Sequence, residues 1–321
     1  MPVLLHWHCQ ILEVKGVFMK KHYDTLTIGH ISLDYNIDYL DNQIIEVGGA
    51  VIYSSAAAYA GGYKVGVVTK VAPEDKDRLN TFVIPKEDIF YIPSKESTSI
   101  RNKYHTADKE RRTCTCIGQG DSFKLEDIPD VDCDVYHFAG LIYGDFTGDL
   151  MIELSKRGKI AVDVQALLRH ADRSTGRMYF EDWKDKKEIL PYVDYLKTDT
   201  AEAEILTGQT DRIVAAKMLH EWGAKEVVIT NSAEVLAYDG KELYTCPIRA
   251  RNLSGRSGRG DTTFAAYITE RQKENMQKAL LWATATVSTK MEAPGPYKGK
   301  REDILKYIDE IYPEYDLYKT K

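Results

Sequence analysis

The chain has 321 residues, 43% hydrophobic and 29% charged, the composition of a folded globular protein rather than a disordered one. Its length suits one large domain or two ordinary ones, and a net charge of −6 argues against a general nucleic-acid binder. No apolar run is long enough to span a bilayer, and five cysteines at 9, 114, 116, 133 and 246 suggest free thiols in a reducing compartment.

Met1 to Phe18 lack both a basic leader and a small-residue cleavage site, so residues 1–20 read as an extension outside the fold and the protein as cytoplasmic. Asp24 to His30 then read as a strand ending in a glycine turn. Gly48-Gly49 open a small-residue helix, expected over Tyr53 to Ala60 and stopped by Gly61-Gly62. Lys64 to Thr69 form the next strand. Residues 97–118 hold two β-prone runs around a charged turn, polar on both faces. With residues 34–47 they are expected to make a small lid over a site. Cys114-Thr115-Cys116 falls in this lid, lacks a second nearby pair, and reads as strand alternation rather than a metal site.

Beyond the lid, apolar runs at Val135 to Ala139, Ile160 to Val164, Tyr192 to Leu196 and Glu226 to Thr230 alternate with helical segments such as Leu150–Arg157 and Ala201–Leu206. That alternation predicts an α/β fold, one domain over residues 21–321 with a mostly parallel central sheet covered by helices on both faces.

The chemistry concentrates at Ser257-Gly258-Arg259-Gly260-Asp261-Thr262-Thr263-Phe264, directly ahead of a helical pattern in Phe264, Ala265, Tyr267 and Ile268. Glycines before a helix let backbone N–H groups turn toward an anion, which the helix dipole favours. An aspartate at such a place either caps the helix or takes a proton from a hydroxyl that attacks a phosphoryl group. Arg259-Gly260-Asp261 is also the cell-adhesion tripeptide, here read as coincidence.

These residues, in this order, resemble the ribokinase-like, PfkB-type carbohydrate kinases, from Tyr23 to about Ile308. The family's C-terminal Gly-Ala-Gly-Asp signature is similar to Gly258-Arg259-Gly260-Asp261. Its N-terminal Gly-Gly pair and alanine-rich helix are similar to Gly48-Gly49-Ala50 through Ala58. The resemblance implies that Asp261 is the catalytic base, with the N–H groups of Gly258, Arg259 and Gly260 as the anion hole. It implies that Asp34, Gly48 and Gly49 hold the substrate, Tyr53 standing where the family commonly has an asparagine. Asp163, Gln165 and Arg169 follow a strand end and are expected to line the same cleft.

Lys197 to Ala203 resembles the family's Asn-x-x-Glu motif with Asp199 in place of asparagine. Glu202 is then expected to help hold Mg²⁺ through water, or else to be an acidic first turn. Lys197, Asp199, Thr230 and Ser232 are placed at the nucleotide. Ser232 replaces a family glycine in a turn that looks one residue short. Gly255-Arg256 stands where the family carries an Asp-Thr pair tied to monovalent-cation activation, so K⁺ dependence is in doubt. Arg259 is the largest departure: its guanidinium either faces the phosphoryl group or turns outward to an acid. Arg101, Lys103, Arg111 and Arg112 crowd the lid and either greet an acidic substrate or form a solvated hairpin.

The resulting expectation is a kinase using ATP and Mg²⁺ to phosphorylate a hydroxyl of a small sugar-like substrate, with neither nucleic acid nor membrane as partner and a homodimer through the lid. The alternatives are a nucleoside or inositol kinase of the same family, and a catalytically weak ligand-binding relative with a regulatory role.

Overall fold

Strand β1 (His22–Ile28), an interior strand of the main sheet, leads by Gly29 into a hairpin of β2 (Ser32–Ile37) and β3 (Gln43–Gly48). The structure, a computed structural model, describes residues 20–107 and 111–318, so the expected N-terminal extension lies outside the described residues apart from Lys20. Helix α1 (Ala50–Ala60) returns the chain to β4 (Val65–Val71) and β5 (Ile89–Pro93), followed by a second hairpin, β6 (Thr98–Tyr104) and β7 (Arg112–Gly118). Next come β8 (Asp132–Phe138), α2 (Gly148–Ser155), β9 (Lys159–Asp163), α3 (Gln165–Leu168), and the short pair β10 (Arg169–Ala171) and β11 (Met178–Phe180). The chain continues through α4 (Lys186–Ile189), β12 (Tyr195–Asp199), α5 (Thr200–Thr207), α6 (Arg212–Glu221), β13 (Glu226–Thr230), β14 (Glu234–Tyr238) and β15 (Leu243–Pro247). Helices α7 (Arg259–Glu270), α8 (Met276–Lys290) and α9 (Arg301–Ile311) follow.

The main sheet has nine strands in the order β15-β14-β13-β12-β9-β8-β1-β4-β5. It is parallel from β13 to β5, and β14 and β15 add an antiparallel edge. Chain order advances from β1 outward through β4 and β5, then returns to β8 on the other side of β1. In open α/β sheets such a reversal is where ligands bind, beyond the carboxyl ends of the strands, here those of β1 and β8. The lid is a separate four-stranded sheet, β3-β2-β6-β7. It begins at Ser32, slightly before the expected 34, and Asp34 lies within its strand β2 rather than in a turn after β1.

Two apolar layers sandwich the main sheet. On one face α2, α4, α5 and α6 pack over Leu26, Phe138, Val162 and Leu196. On the other, α1, α7, α8 and α9 pack over Val135, Ala161 and Val228. Helix α7 is buried on every side from Thr262 to Glu270, because it lies between the sheet, α1 and α8. Its far end is fixed by Glu270, fully buried and gripped by both terminal nitrogens of Arg301 at 2.7 and 2.8 Å, with Tyr63 donating at 2.6 Å. A bidentate, charge-assisted contact of this kind sets where the helix begins as well as where it ends.

The expected strand at Tyr192–Leu196 begins instead at Tyr195. Leu190–Tyr192 is a 3₁₀ turn whose Pro191 lacks the N–H that a central strand needs. The helix expected from Tyr53 starts three residues earlier, at Ala50, directly after Gly49. Among the described residues no helix is long and apolar enough to cross a membrane.

Candidate active site

Gly258 is the N-cap of α7 in the left-handed conformation, φ 73°, which glycine adopts without steric cost. Thr262 N donates the first helical hydrogen bond, to Gly258 O at 3.0 Å. The amides of Arg259, Gly260 and Asp261 thus precede the helical ladder, on the positive end of the helix dipole. The ring of Tyr53, from α1, lies flat against this turn: a Cβ added to Gly258 would sit 2.1 Å from Tyr53 Cγ. Gly258→Ala is therefore expected to cost about 1–2 kcal/mol for the left-handed backbone alone and to push Tyr53 out of place. The check is a thermal melt together with KM; an unchanged Tm and KM would contradict the packing described here.

Asp261 is the third residue of α7, and its carboxylate makes no hydrogen bond or ion pair with a described residue. Burial and the nearby charge of Asp163 raise its pKa, while Lys197, Arg169 and Lys290 oppose the rise. A raised carboxylate with an open face can accept a proton near neutral pH.

Below it, at the ends of β9 and β12, sits a buried ionic cluster. Lys197 Nζ lies 3.0 Å from Asp163 Oδ2 and 3.7 Å from Glu202 Oε2. A Cβ on Gly260 would come within 3.1 Å of the same nitrogen, so this ammonium stands under the N-terminus of α7. Its acid partners, Asp163 first, hold its pKa above the ordinary lysine value against desolvation. Burial raises the pKa of Glu202, with Lys197 opposing.

Asp199 and Glu202 form a reciprocal capping box on α5: Asp199 Oδ1 accepts from Glu202 N, and Glu202 Oε2 accepts from Asp199 N, both at 2.8 Å. The acidic first turn weighed from the sequence is thus engaged in capping. Among the described residues no group of three His, Cys, Asp or Glu side chains is arranged to hold a metal. The donors present fit a Mg²⁺ that arrives on phosphates and meets Glu202 through water, rather than a preformed cage.

On the lid side, Ser32 Oγ donates to Asp34 Oδ1 at 2.8 Å, and Gly48 lies so close that a Cβ would fall 2.4 Å from Asp34 Oδ2. Gly49, φ 110°, carries the backbone past His30 O where any Cβ would collide. Burial raises the pKa of Asp34, with Ser32 and the charges of Arg169 and Arg112 opposing. Tyr53 joins the two halves: after burial, the charges of Asp261 and Asp34 are what raise its phenol pKa most.

Arg169 is 8% exposed and uses only its Nε within the protein, donating to Leu141 O at 2.7 Å. Its two terminal nitrogens make no hydrogen bond or ion pair with a described residue. Asp163 Oδ1 closes the turn after β9 by accepting from Gln165 N at 3.1 Å.

Lid alternation separates the basic residues. Asp34 pairs with Ile100, Ile100 with Cys116, and Tyr104 with Arg112, so Arg112 shares a face with Asp34. Arg101 pairs with Tyr35 and lies on the opposite, exposed face, as does Lys103, which binds Asp41. The structure therefore does not bring Arg101 together with Asp34 and Asp261. Arg111 precedes β7 and is exposed. Cys114 and Cys116 are free thiols on the Arg112 face, and Cys114 donates to Asn102 at 3.3 Å.

Thr230 ends β13 beside Asp199, and Asn231 Oδ1 closes the following turn by accepting from Ala233 N and Glu234 N, both at 2.7 Å. Ser232 is exposed at the tip of this tight turn. Arg259 is half-buried at the first position of α7.

Sequence reasoning passed over Lys290, whose ammonium reaches the loop before α7. Its local signal is a basic residue in the last turn of a helix rich in alanine and threonine.

A mostly parallel sheet between helices, a four-stranded lid, and a glycine-led helix N-terminus whose Asp261 carboxylate has no partner among the described residues are the architecture of the ribokinase-like kinases. The model of the pfkB family carbohydrate kinases matches residues 88–302, and the chain belongs to that family. It is a kinase whose acceptor is a hydroxyl group.

A cytidine kinase from Thermococcus kodakarensis is 26% identical over 255 residues, 76% of this chain and 87% of its own. A pyrophosphate-dependent kinase in the ribokinase family, solved with a pyrophosphate analog and myo-inositol, superposes with a TM-score of 0.79 at 30% identity. It covers 88% of this chain and 99% of that one. Arabidopsis thaliana ribokinase, solved with ribose and ATP, shares the fold: TM-score 0.70, 14% identity, 90% and 99% covered.

Proposed function

We propose that this enzyme transfers the terminal phosphoryl group of ATP to one hydroxyl of a ring-shaped polyol of the inositol type. The observation that carries the reading is the raised carboxylate of Asp261, unpaired among the described residues, the third residue of α7 and, like Asp34, close enough for its charge to act on Tyr53. Asp34 offers two oxygens to adjacent hydroxyls, and Arg169 and Arg112 offer donors to others. A set rich in hydrogen-bonding groups suits a polyol, and the likeness to a kinase solved with myo-inositol supports the same acceptor.

Asp261 takes the proton as the acceptor oxygen bonds to phosphorus and the bond to the leaving phosphate breaks. The amides of Gly258, Arg259 and Gly260 hold the oxygens of the transferring group, and Lys197 adds positive charge beneath them. Mg²⁺ bound to the donor phosphates would neutralise charge developing on the leaving group, with Glu202 as its water-mediated contact.

A base works deprotonated, so a raised pKa places the rise of kcat/KM with pH above the ordinary carboxylate range. Asp163→Asn removes a charge that raises Asp261 and is expected to move that rise to lower pH. A pH–rate profile with an unmoved acid limb would contradict this assignment.

A second reading concerns the donor. The β13–β14 turn is tight and closed on itself by Asn231, and the family glycine there is Ser232. With the likeness to a pyrophosphate-dependent kinase, this supports pyrophosphate in place of a nucleotide. Phosphate transfer measured over a matrix of donors (ATP, GTP, pyrophosphate) and acceptors (inositols, ribose, fructose, cytidine, their phosphates) separates the readings. Turnover with cytidine alone would sink the polyol acceptor, and turnover with pyrophosphate alone would replace ATP.

A further inference from the structure

Lys290 ends α8 and is 2% exposed. Its ammonium meets no carboxylate within ion-pair distance among the described residues. Instead Nζ donates to two backbone carbonyls of the loop that enters α7, Gly255 O at 2.6 Å and Ser257 O. The ring of Tyr53 completes the surroundings, with Nζ 5.0 Å from its centroid. The same loop is held from outside, Gly255 N donating to Met291 O at 2.8 Å. Gly255 packs so tightly on Ala293 that a Cβ would fall 1.8 Å from its carbonyl oxygen.

Two carbonyls turned inward beside an aromatic face make a cradle for a single positive charge. A free monovalent ion does not fit there, because the lysine ammonium already lies between the oxygens. The residue where the family carries its cation-linked aspartate is Gly255, which has no side chain to offer.

We propose that Lys290 is a tethered cation that sets the anion-hole loop and frees the enzyme from any need for a bound monovalent ion. In a trans peptide the carbonyl and the following N–H point in opposite directions. Drawing Ser257 O toward Lys290 therefore aims Gly258 N–H to the other side, where the helix N-terminus receives the phosphoryl group. The positive charge also polarises that peptide and makes its N–H a stronger donor. Lys290 acts through the loop, so it is a positioning residue, and its effect falls on kcat more than on KM for the acceptor.

The proposal rests on the phosphotransfer reading of Asp261, and its test has one arm that needs no turnover. Lys290→Met keeps the aliphatic stem and vacates only the ammonium position. In a choline buffer its kcat is expected to fall on the order of 10²-fold, the scale of a misplaced reactive group. Added K⁺ or NH₄⁺ should restore much of that loss and raise the Tm of the variant. Wild-type rate and Tm should be the same in K⁺, Na⁺ and choline. A wild-type enzyme stimulated by K⁺ would overturn the proposal, and that arm depends on no variant folding. So would a folded Lys290→Met protein that keeps its full kcat in choline, or that K⁺ and NH₄⁺ change in neither rate nor Tm. If no donor–acceptor pair turns over, the Tm arms still decide the cation question while the substrate reading fails separately.

Discussion

Asp261→Asn is expected to lower kcat by about 10²–10⁴-fold, the range over which a positioned general base contributes, while leaving the protein as stable as before or more so. The first half follows from geometry: among the described residues this carboxylate has no partner, and it lies at the positive end of α7 in electrostatic reach of Tyr53 and Arg169, which also act with Asp34. The second half follows from the direction of its pKa. Burial and Asp163 penalise the charged form in the folded state. Above its folded pKa the ionised side chain therefore costs stability, and an amide of the same shape removes that cost. A gain in Tm with a loss of turnover is the signature of a group kept for function against its own folding energetics. With Gly258 as the N-cap of α7, Asp261 does not cap the helix; a loss of Tm alongside the loss of rate would instead give its carboxylate a structural role.

Lys197→Met is expected to cost both stability and activity. Lys197 and Asp163 are each almost wholly buried, with Glu202 beside them. Removing the cation leaves two buried carboxylates without their charge partner, and breaking a buried pair in this way typically costs about 3–5 kcal/mol. It also removes the positive charge under Gly260. Adding Asp163→Asn to Lys197→Met should recover part of the Tm but none of the rate, since the charge beneath the anion hole stays absent. Urea titrations and single-turnover rates on the two variants check this, and full recovery of rate in the double variant would contradict the role given to Lys197.

The local backbone features of the candidate site were legible in the sequence because its pieces are short. Gly258 to Asp261, Gly48-Gly49 and Asp199 to Glu202 are short runs whose backbone demands are written in glycine placement and capping residues. The strand–helix alternation likewise announced the parallel sheet. What stayed hidden depends on residues far apart in the chain. Nothing near Lys290 indicates that its ammonium crosses to carbonyls 35 and 33 residues upstream. Arg101 and Arg112 looked equivalent as charges, and only strand pairing puts one on the far face of the lid and the other on the face of Asp34. Glu202 carried two readings from the start, and the capping box shows its carboxylate meeting the helix requirement while standing beside Lys197.

Arg259 has a narrower meaning as well. It opens α7 directly after the left-handed Gly258, so its backbone N–H lies in the first turn of the helix, ahead of the hydrogen-bonded ladder, whatever its side chain does. At Gly258 a side chain is costlier, because its Cβ would meet Tyr53.

The most direct measurement is ³¹P NMR of wild type and Asp261→Asn with Mg²⁺, each phosphoryl donor in turn, and myo-inositol as acceptor. The expected result is a new phosphomonoester signal with wild type, at least about 10²-fold slower with the variant. Absence of that signal with every donor, or its appearance at the same rate in both proteins, would contradict the account.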